Sequence, residues 1–361
     1  MKKKILFICP YPENTVPGQR LKYEQYFEDL KKNNFDITVK SFFNNDEYKI
    51  LYKNGFFFRK FFAVLKGYIR RIYQVFFLYQ YSLVYIFLNV TPLGGSFFEK
   101  IYRFFSKKII YDIDDLVYLN KSNKENNLIK YLRFPSKYYY LMEFSDHVIT
   151  CTSYLNKFVR KYNKNTTNIS STVNTKKYTP KKFNDKNKKL VLGWTGSFST
   201  LPYLDLIYDV IDEIQSKYNL SIIVISSNKV NLEFKNYKSY EWNSNEEVKM
   251  LKKIDIGLYP LPDEEWVKGK SGLKAIQFMA LGIPVIATDT EINKNVIINN
   301  KTGFLVNSKQ KWIEKISLLI ENKQLRRKMS KNSVIHVSNK FSVSSNKHKY
   351  LDIINNLIKI K

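Results

Sequence analysis

The stretch Trp266-Val267-Lys268-Gly269-Lys270-Ser271-Gly272-Leu273-Lys274-Ala275-Ile276-Gln277 carries the densest set of groups able to hold an anion. At about 100° per residue, Lys270, Lys274 and Gln277 fall within about 60° of one another, whereas Leu273, Ile276 and Ala280 form a separate apolar stripe. One face can pack while the other meets a ligand. Two lysines at a helix start oppose the helix dipole, which costs stability unless an anion sits there. A purely solvated lysine face fits the same pattern.

A second candidate is Trp194-Thr195-Gly196-Ser197-Phe198-Ser199-Thr200-Leu201-Pro202, a strand running through a Gly-Ser turn into a helix start. Gly196 and Ser197 would offer backbone N–H groups to a phosphate, but the stretch has no Walker lysine and no complete dinucleotide fingerprint. Asp112-Ile113-Asp114-Asp115 follows another apolar run. Its carboxylates suit either a divalent cation, a polar role in a cleft, or helix capping by Asp114 or Asp115. His147, His336 and His348 lie far apart, so neither a zinc site nor a catalytic triad is supported.

The elements positioning these groups follow from apolar runs. Ile5–Cys9, Phe35–Val39, Leu83–Leu88, Lys108–Tyr111 and His147–Cys151 read as strands with helical segments between them. The loop after the first strand holds Gly18, Gln19 and Arg20. A polar stretch from Lys176 to Lys189 reads as a linker, and a second alternation follows. Its strands are Leu190–Trp194, Leu220–Ile225, Ile254–Tyr259 and Pro284–Thr288; its helices are Leu201–Ser216, Glu246–Lys253, Gly272–Leu281 and Gln310–Asn322. Two α/β domains with doubly wound sheets are therefore expected over 1–180 and 187–338, with a closing helix over 339–361.

Composition narrows the partners. The 361 residues are 44% hydrophobic and carry a net charge of +28, which excludes a disordered chain and favours polyanions, whether nucleic acid, anionic lipid or phosphorylated small molecules. Only Cys9 and Cys151 occur, both in strand-like runs, so a reducing compartment is expected. The lysine-rich start reads as a first strand rather than a signal peptide, because Pro10 cuts the apolar run short. Phe56–Arg71 mixes aromatics with Arg59, Lys60, Arg70 and Arg71 and lacks acids; it fits a helix in a membrane interface or a core helix with a solvated basic face. Ile72–Phe98 holds no charge, yet Gln74, Gln80, Ser82, Asn89 and Pro92 argue against a spanning helix.

Several ordered motifs resemble glycosyltransferase family 4, of the GT-B fold. They are the Pro-Tyr-Pro and Pro-Gly-Gln-Arg loop, Ile110–Asp115, Val173–Tyr178, Gly193–Ser197, Gly269–Ala287 and Lys301–Val306. The resemblance implies two Rossmann-like domains facing each other across a cleft, and metal-independent transfer of a sugar with retained anomeric configuration. No cofactor is expected; the substrate is a nucleoside diphosphate sugar. Donor contacts would come from Gly196, Ser197, Lys270, Ser271, Gly272, Lys274 and Gln277, with Gln277 reaching a sugar or ribose hydroxyl. Gly18, Gln19 and Arg20 would form an acceptor-side or phosphate loop, and Asp112, Asp114 and Lys270 would be catalytic.

The family usually carries two glutamates where this chain has Gly269 and Gln277, and an Arg and Lys pair that is missing here; Glu291 and Asn295 stand where it often has Gly and Glu. These departures resemble a subgroup carrying Gly-Lys and Gln. The implied function is a peripheral enzyme on the cytoplasmic face of the membrane, acting on a glycan or lipid-linked acceptor in surface polysaccharide or glycolipid synthesis, with Arg59, Lys60, Arg70 and Arg71 contacting anionic lipid. The alternative is a noncatalytic polyanion binder of the same fold. No recognised DNA- or RNA-binding module occurs, so nucleic acid is not an expected partner.

Overall fold

A computed structural model describes residues 2–119, 134–182 and 189–358. Part of the expected linker and the last three residues of the expected closing helix lie outside the described residues. The chain divides into two compact units, Met1–Ser171 with Lys268–Ser271 and Asn346–Lys361, and Thr172–Val267 with Gly272–Ser345. The change of unit thus falls at Ser171, ahead of the polar stretch.

In the first unit, six parallel strands take the order β2-β1-β3-β4-β5-β6: β1 Lys3–Cys9, β2 Phe35–Ser41, β3 Leu83–Phe87, β4 Ile109–Ile113, β5 His147–Thr150 and β6 Thr166–Asn168. Every residue of β3 and β4 is buried, as continuous apolar runs in a helix-covered parallel sheet should be. The edge strand β6, Thr-Thr-Asn, is only partly buried and gives no apolar signal. Helices include α1 Phe27–Lys32, α2 Phe57–Val75, α3 Phe97–Phe105, α4 Ser136–Phe144 and α5 Ser153–Val159. The charge-free run Ile72–Phe98 resolves into the end of α2, a short turn, β3 and the start of α3, and no helix among the described residues is long and apolar enough to cross a membrane.

The second unit repeats the scheme with order β12-β11-β10-β7-β8-β9, also parallel. Its strands are β7 Val191–Thr195, β8 Ser221–Ser226, β9 Tyr237–Glu241, β10 Ile256–Tyr259, β11 Val285–Thr288 and β12 Gly303–Val306. Helices α6 Tyr208–Lys217, α7 Glu247–Leu251, α8 Leu273–Ala280, α9 Glu291–Val296, α10 Lys309–Glu321 and α11 Lys323–Lys340 cover them. Trp194, Val224, Leu258 and Ile286 from the strands meet Ile211, Trp312 and Ile316 from the helices in one core. The helix expected over Leu201–Ser216 is divided: Phe198–Ile207 is a 3-10 helix containing Pro202, and the α-helix starts at Tyr208. Proline has no N–H to donate to a helical ladder, which explains the late start.

The last helix, α12, spans Val343–Ile358, and from Asn346 onward it belongs to the first unit. There the Tyr350 ring packs against that of Tyr26 at a 38° tilt, ring centres 4.5 Å apart, and its hydroxyl donates to the Lys22 carbonyl at 3.3 Å.

Candidate functional site

In the second unit the strand order reverses between β7 and β10, and parallel sheets bind ligands beyond the carboxyl ends of the strands at such a point. Lys274, in the first turn of α8, sits there. Its Nζ donates to Thr200 Oγ1 at 2.9 Å and lies 4.8 Å from the Trp194 ring centre and 6.0 Å from that of Tyr259. These aromatic faces attract the ammonium and fix its position. Gly196 lets it approach, since a Cβ there would come within 2.6 Å of Lys274 Nζ and 2.3 Å of the Trp194 ring. Beside it, Ser197 Oγ is 2.9 Å from Ser199 Oγ. A positioned cation with neighbouring hydroxyls can neutralise the charge of a phosphate.

Gln277 differs from expectation. It is buried, and its Nε2 donates to Tyr178 Oη at 2.9 Å and to Glu247 Oε1 at 3.0 Å. Glu247 also accepts from Trp242 Nε1 at 2.9 Å and from the Tyr178 hydroxyl at 2.6 Å. Gln277 therefore closes an internal network instead of reaching a sugar or ribose. The arrangement also accounts for the residue type: an amide donates to Glu247, whereas a second carboxylate at this distance would repel it.

In the first unit, Asp112 is likewise removed from direct chemistry. It forms a 2.9 Å ion pair with Lys22, both side chains being 0% exposed, and accepts from the Tyr85 hydroxyl. Burial pushes the Asp112 carboxyl up, against the pull of Lys22 and Tyr85. Burial opposes the charge on Lys22 most strongly, but Asp112, Cys151 and Asp114 together outweigh it and hold the ammonium above the ordinary lysine value. The expectation of a substrate-facing Asp112 is corrected by its complete burial.

Asp114, just past the end of β4, is only partly buried. Burial, reinforced by the charge of Asp115, pushes its carboxyl up to about 7, where it can exchange a proton near neutrality. A Cβ on Gly18 would lie 3.5 Å from Asp114 Oδ2, so the Gly18 loop and Asp114 adjoin. Gln19, by contrast, is structural: its amide accepts from the Tyr11 N–H at 3.1 Å and donates to the Tyr11 carbonyl at 2.9 Å and to Glu24 at 3.2 Å. Arg20 is largely buried; burial raises the Glu24 carboxyl, and hydrogen bonds from the Asn14 N–H and Gln19, with the charge of Arg20, work against it.

Lys270 and Ser271 belong to the first unit, whereas Gly196, Ser197, Gly272, Lys274 and Gln277 belong to the second. Ser271 Oγ lies 2.9 Å from Ser171 Oγ, and the Cys151 thiol donates to the Gly269 carbonyl at 3.1 Å. Gly269 is packed against backbone: a Cβ there would stand 2.7 Å from the Leu116 nitrogen. The absence of a glutamate at this position has that steric cause.

The four cations assigned to lipid contact have different fates. Arg71 is 0% exposed and donates to the carbonyls of Cys9, Lys40 and Val90 at 2.9, 3.0 and 2.7 Å and to Gln74 Oε1 at 2.9 Å. It bolts α2 to the sheet, so its assignment as a lipid contact is corrected. Arg70 binds the Phe42 carbonyl and the Glu47 carboxylate, and Lys60 reaches the Lys53 carbonyl. Arg59 is exposed, with its guanidinium 5.7 Å from the Phe56 ring centre. Sequence reading missed Lys22, Tyr178, Thr200 and Glu247; Tyr178 and Thr200 stood inside quoted motifs without a role of their own.

Residues 176–334 match the family model described as Glycosyl transferases group 1. The sucrose-phosphate synthase of Thermosynechococcus elongatus superposes with a TM-score of 0.71 at 13% identity, over 99% of this chain and 100% of that one. A glycosyltransferase from Rickettsia africae gives 0.68 at 16% identity over 100% of both chains. Anabaena HepE in complex with UDP and glucose gives 0.64 at 14% identity, over 98% of this chain and 100% of that one. The fold is GT-B, the fold of these glycosyltransferases. Among curated proteins, the trehalose synthases of Thermococcus litoralis and Pyrococcus furiosus are each 32% identical over 84 residues, which span 23% of this chain and 20% of each relative.

Proposed function

We propose that this protein is a retaining glycosyltransferase that moves a sugar from a nucleoside diphosphate sugar to a glycan or lipid-linked acceptor, in surface polysaccharide or glycolipid synthesis. The observation carrying this reading is Lys274, held at the β7/β10 reversal between Trp194 and Tyr259 with Thr200 beside it, inside the stretch that matches the group 1 glycosyl transferase model. The leaving diphosphate accumulates negative charge as the sugar departs, and a preorganised cation stabilises it without solvent reorganisation. Lys274 is the principal donor contact of the second unit, with Gly196, Ser197 and Gly272 in the same unit.

The first unit holds the acceptor. Asp114 orients an acceptor hydroxyl or takes its proton, and the Gly18–Arg20 loop borders it. The enzyme works at the inner face of the membrane without a bound metal. A thermal-shift titration with UDP, GDP, ADP, CMP and their sugar conjugates tests the reading, because a ligand of the native state raises Tm by mass action. One selective nucleotide diphosphate, followed by turnover of its sugar conjugate with a membrane acceptor, is the expected result; a folded protein unmoved by every nucleotide would overturn it.

A further inference from the structure

We infer that the outward face of α2 is a hydrophobic wedge that inserts into the headgroup region of an anionic phospholipid leaflet. This deepens the membrane element of the proposed function and rests on that reading. The helix is inverted relative to an ordinary surface helix. Its buried positions are Ala63, Gly67, Arg71 and Gln74, small or polar, while Phe58, Phe61, Phe62, Ile69 and Phe76 are exposed, Phe58 at 75% and Phe76 at 68%. At 3.6 residues per turn these five lie within about 60° either side of one line along the helix. Adjacent α3, whose Tyr102 hydroxyl donates to the Arg71 carbonyl of α2 at 3.1 Å, adds Phe104, 81% exposed.

Large aromatic surface of this kind is not left in water by soluble monomers without a partner. Charge identifies the occupant. Residues 57–75 contain no acid, and Arg59 and Lys66 follow one edge of the apolar stripe, as in helices that lie in the plane of an anionic interface. A second copy of the chain would bring the same cationic edge and another +28 toward this one. The helix is held to the sheet by Arg71, so it enters the leaflet as part of the folded unit.

The test uses the full chain with vesicles of phosphatidylcholine alone or mixed with phosphatidylglycerol. Wild type should partition to the mixed vesicles, and part of that binding should survive high salt. The triple substitution Phe58→Ser, Phe61→Ser, Phe62→Ser should lower partitioning at least about tenfold, each buried aromatic contributing strongly to transfer, with Tm and nucleotide-induced shifts unchanged. All four tryptophans, Trp194, Trp242, Trp266 and Trp312, lie in the second unit, so Phe58→Trp adds a local probe whose emission should shift blue and be quenched by brominated lipid. Complete release of the wild type by salt, undiminished binding of the triple variant, an unquenched probe, or a dimer lost in the triple variant would each overturn the inference. Loss of nucleotide shifts with vesicle binding intact would instead count against the transferase reading.

Discussion

Lys274 and Trp194 stand in cation–π contact, the ammonium 4.8 Å from the ring centre, at the strand ends where a doubly wound sheet receives its ligand. A lysine fixed this way has little conformational freedom left to lose on binding a phosphate. Lys274→Ala should therefore weaken binding of the preferred nucleotide diphosphate by about 1–3 kcal/mol, the scale of a charged hydrogen bond, with a folded protein and an unchanged circular-dichroism spectrum. Isothermal titration of the two proteins measures the difference.

Gly269→Ala places a methyl group 2.7 Å from the Leu116 nitrogen and 2.6 Å from the Leu116 side chain. Backbone cannot yield as a flexible side chain does, so the substitution should destabilise the protein by about 1–3 kcal/mol, as overpacked sites do. Gly269→Glu, which puts a longer side chain in the same place, should be at least as damaging. Denaturant unfolding of both variants checks the order.

These cases mark how far sequence alone could reach. The continuous apolar runs of β3, β4 and β10 announced parallel, buried strands, and Lys274 stood out because a lysine in a first helical turn works against the dipole. Gln277 shared its face by periodicity, but no periodicity records that Glu247 and Tyr178, remote in the chain, close around it. Arg71 was read by its charge and turned out to be defined by three carbonyl oxygens on separate elements. Edge strands β6 and β9 escaped because their residues are polar and only partly covered.

The Lys22–Asp112 pair is fully buried, so removing one partner leaves an unpaired charge in the interior. Lys22→Met should cost about 3–5 kcal/mol, and Lys22→Met with Asp112→Asn should recover part of that loss, because no lone carboxylate remains. Chemical denaturation of the single and double variants supplies the comparison. Recovery in the double variant separates a structural pair from a substrate-binding lysine.

Asp114 has its carboxyl raised by burial to about 7 from an ordinary 3.8. The folded chain thus binds this proton more tightly than the unfolded chain does. Its contribution to stability is full below the ordinary value and is lost as pH rises through about 7. In Asp114→Asn that component is absent, so the Tm of wild type relative to the variant should fall steadily from about pH 4 to about pH 7 and then level off. Differential scanning calorimetry across that range follows it; a flat difference would place the carboxyl in an ordinary solvated environment.

Arg71 separates anchoring from lipid contact within a single helix. Its guanidinium satisfies the carbonyls of Cys9, Lys40 and Val90, which join the ends of β1 and β2 and the loop after β3 to α2. Arg71→Met keeps much of the side chain's bulk but leaves those oxygens without their donor. At about 1–3 kcal/mol for each unpaired buried group, the loss should reach at least about 3 kcal/mol. Vesicle binding per folded molecule should not change, because the side chain never meets solvent, whereas substitutions at Phe58 and Phe61 should do the reverse and spare Tm. Parallel melting and vesicle co-sedimentation of the two sets therefore assign each residue its role: a drop in lipid partitioning by folded Arg71→Met would return the guanidinium to the membrane surface, and its absence leaves the aromatic face as the contact.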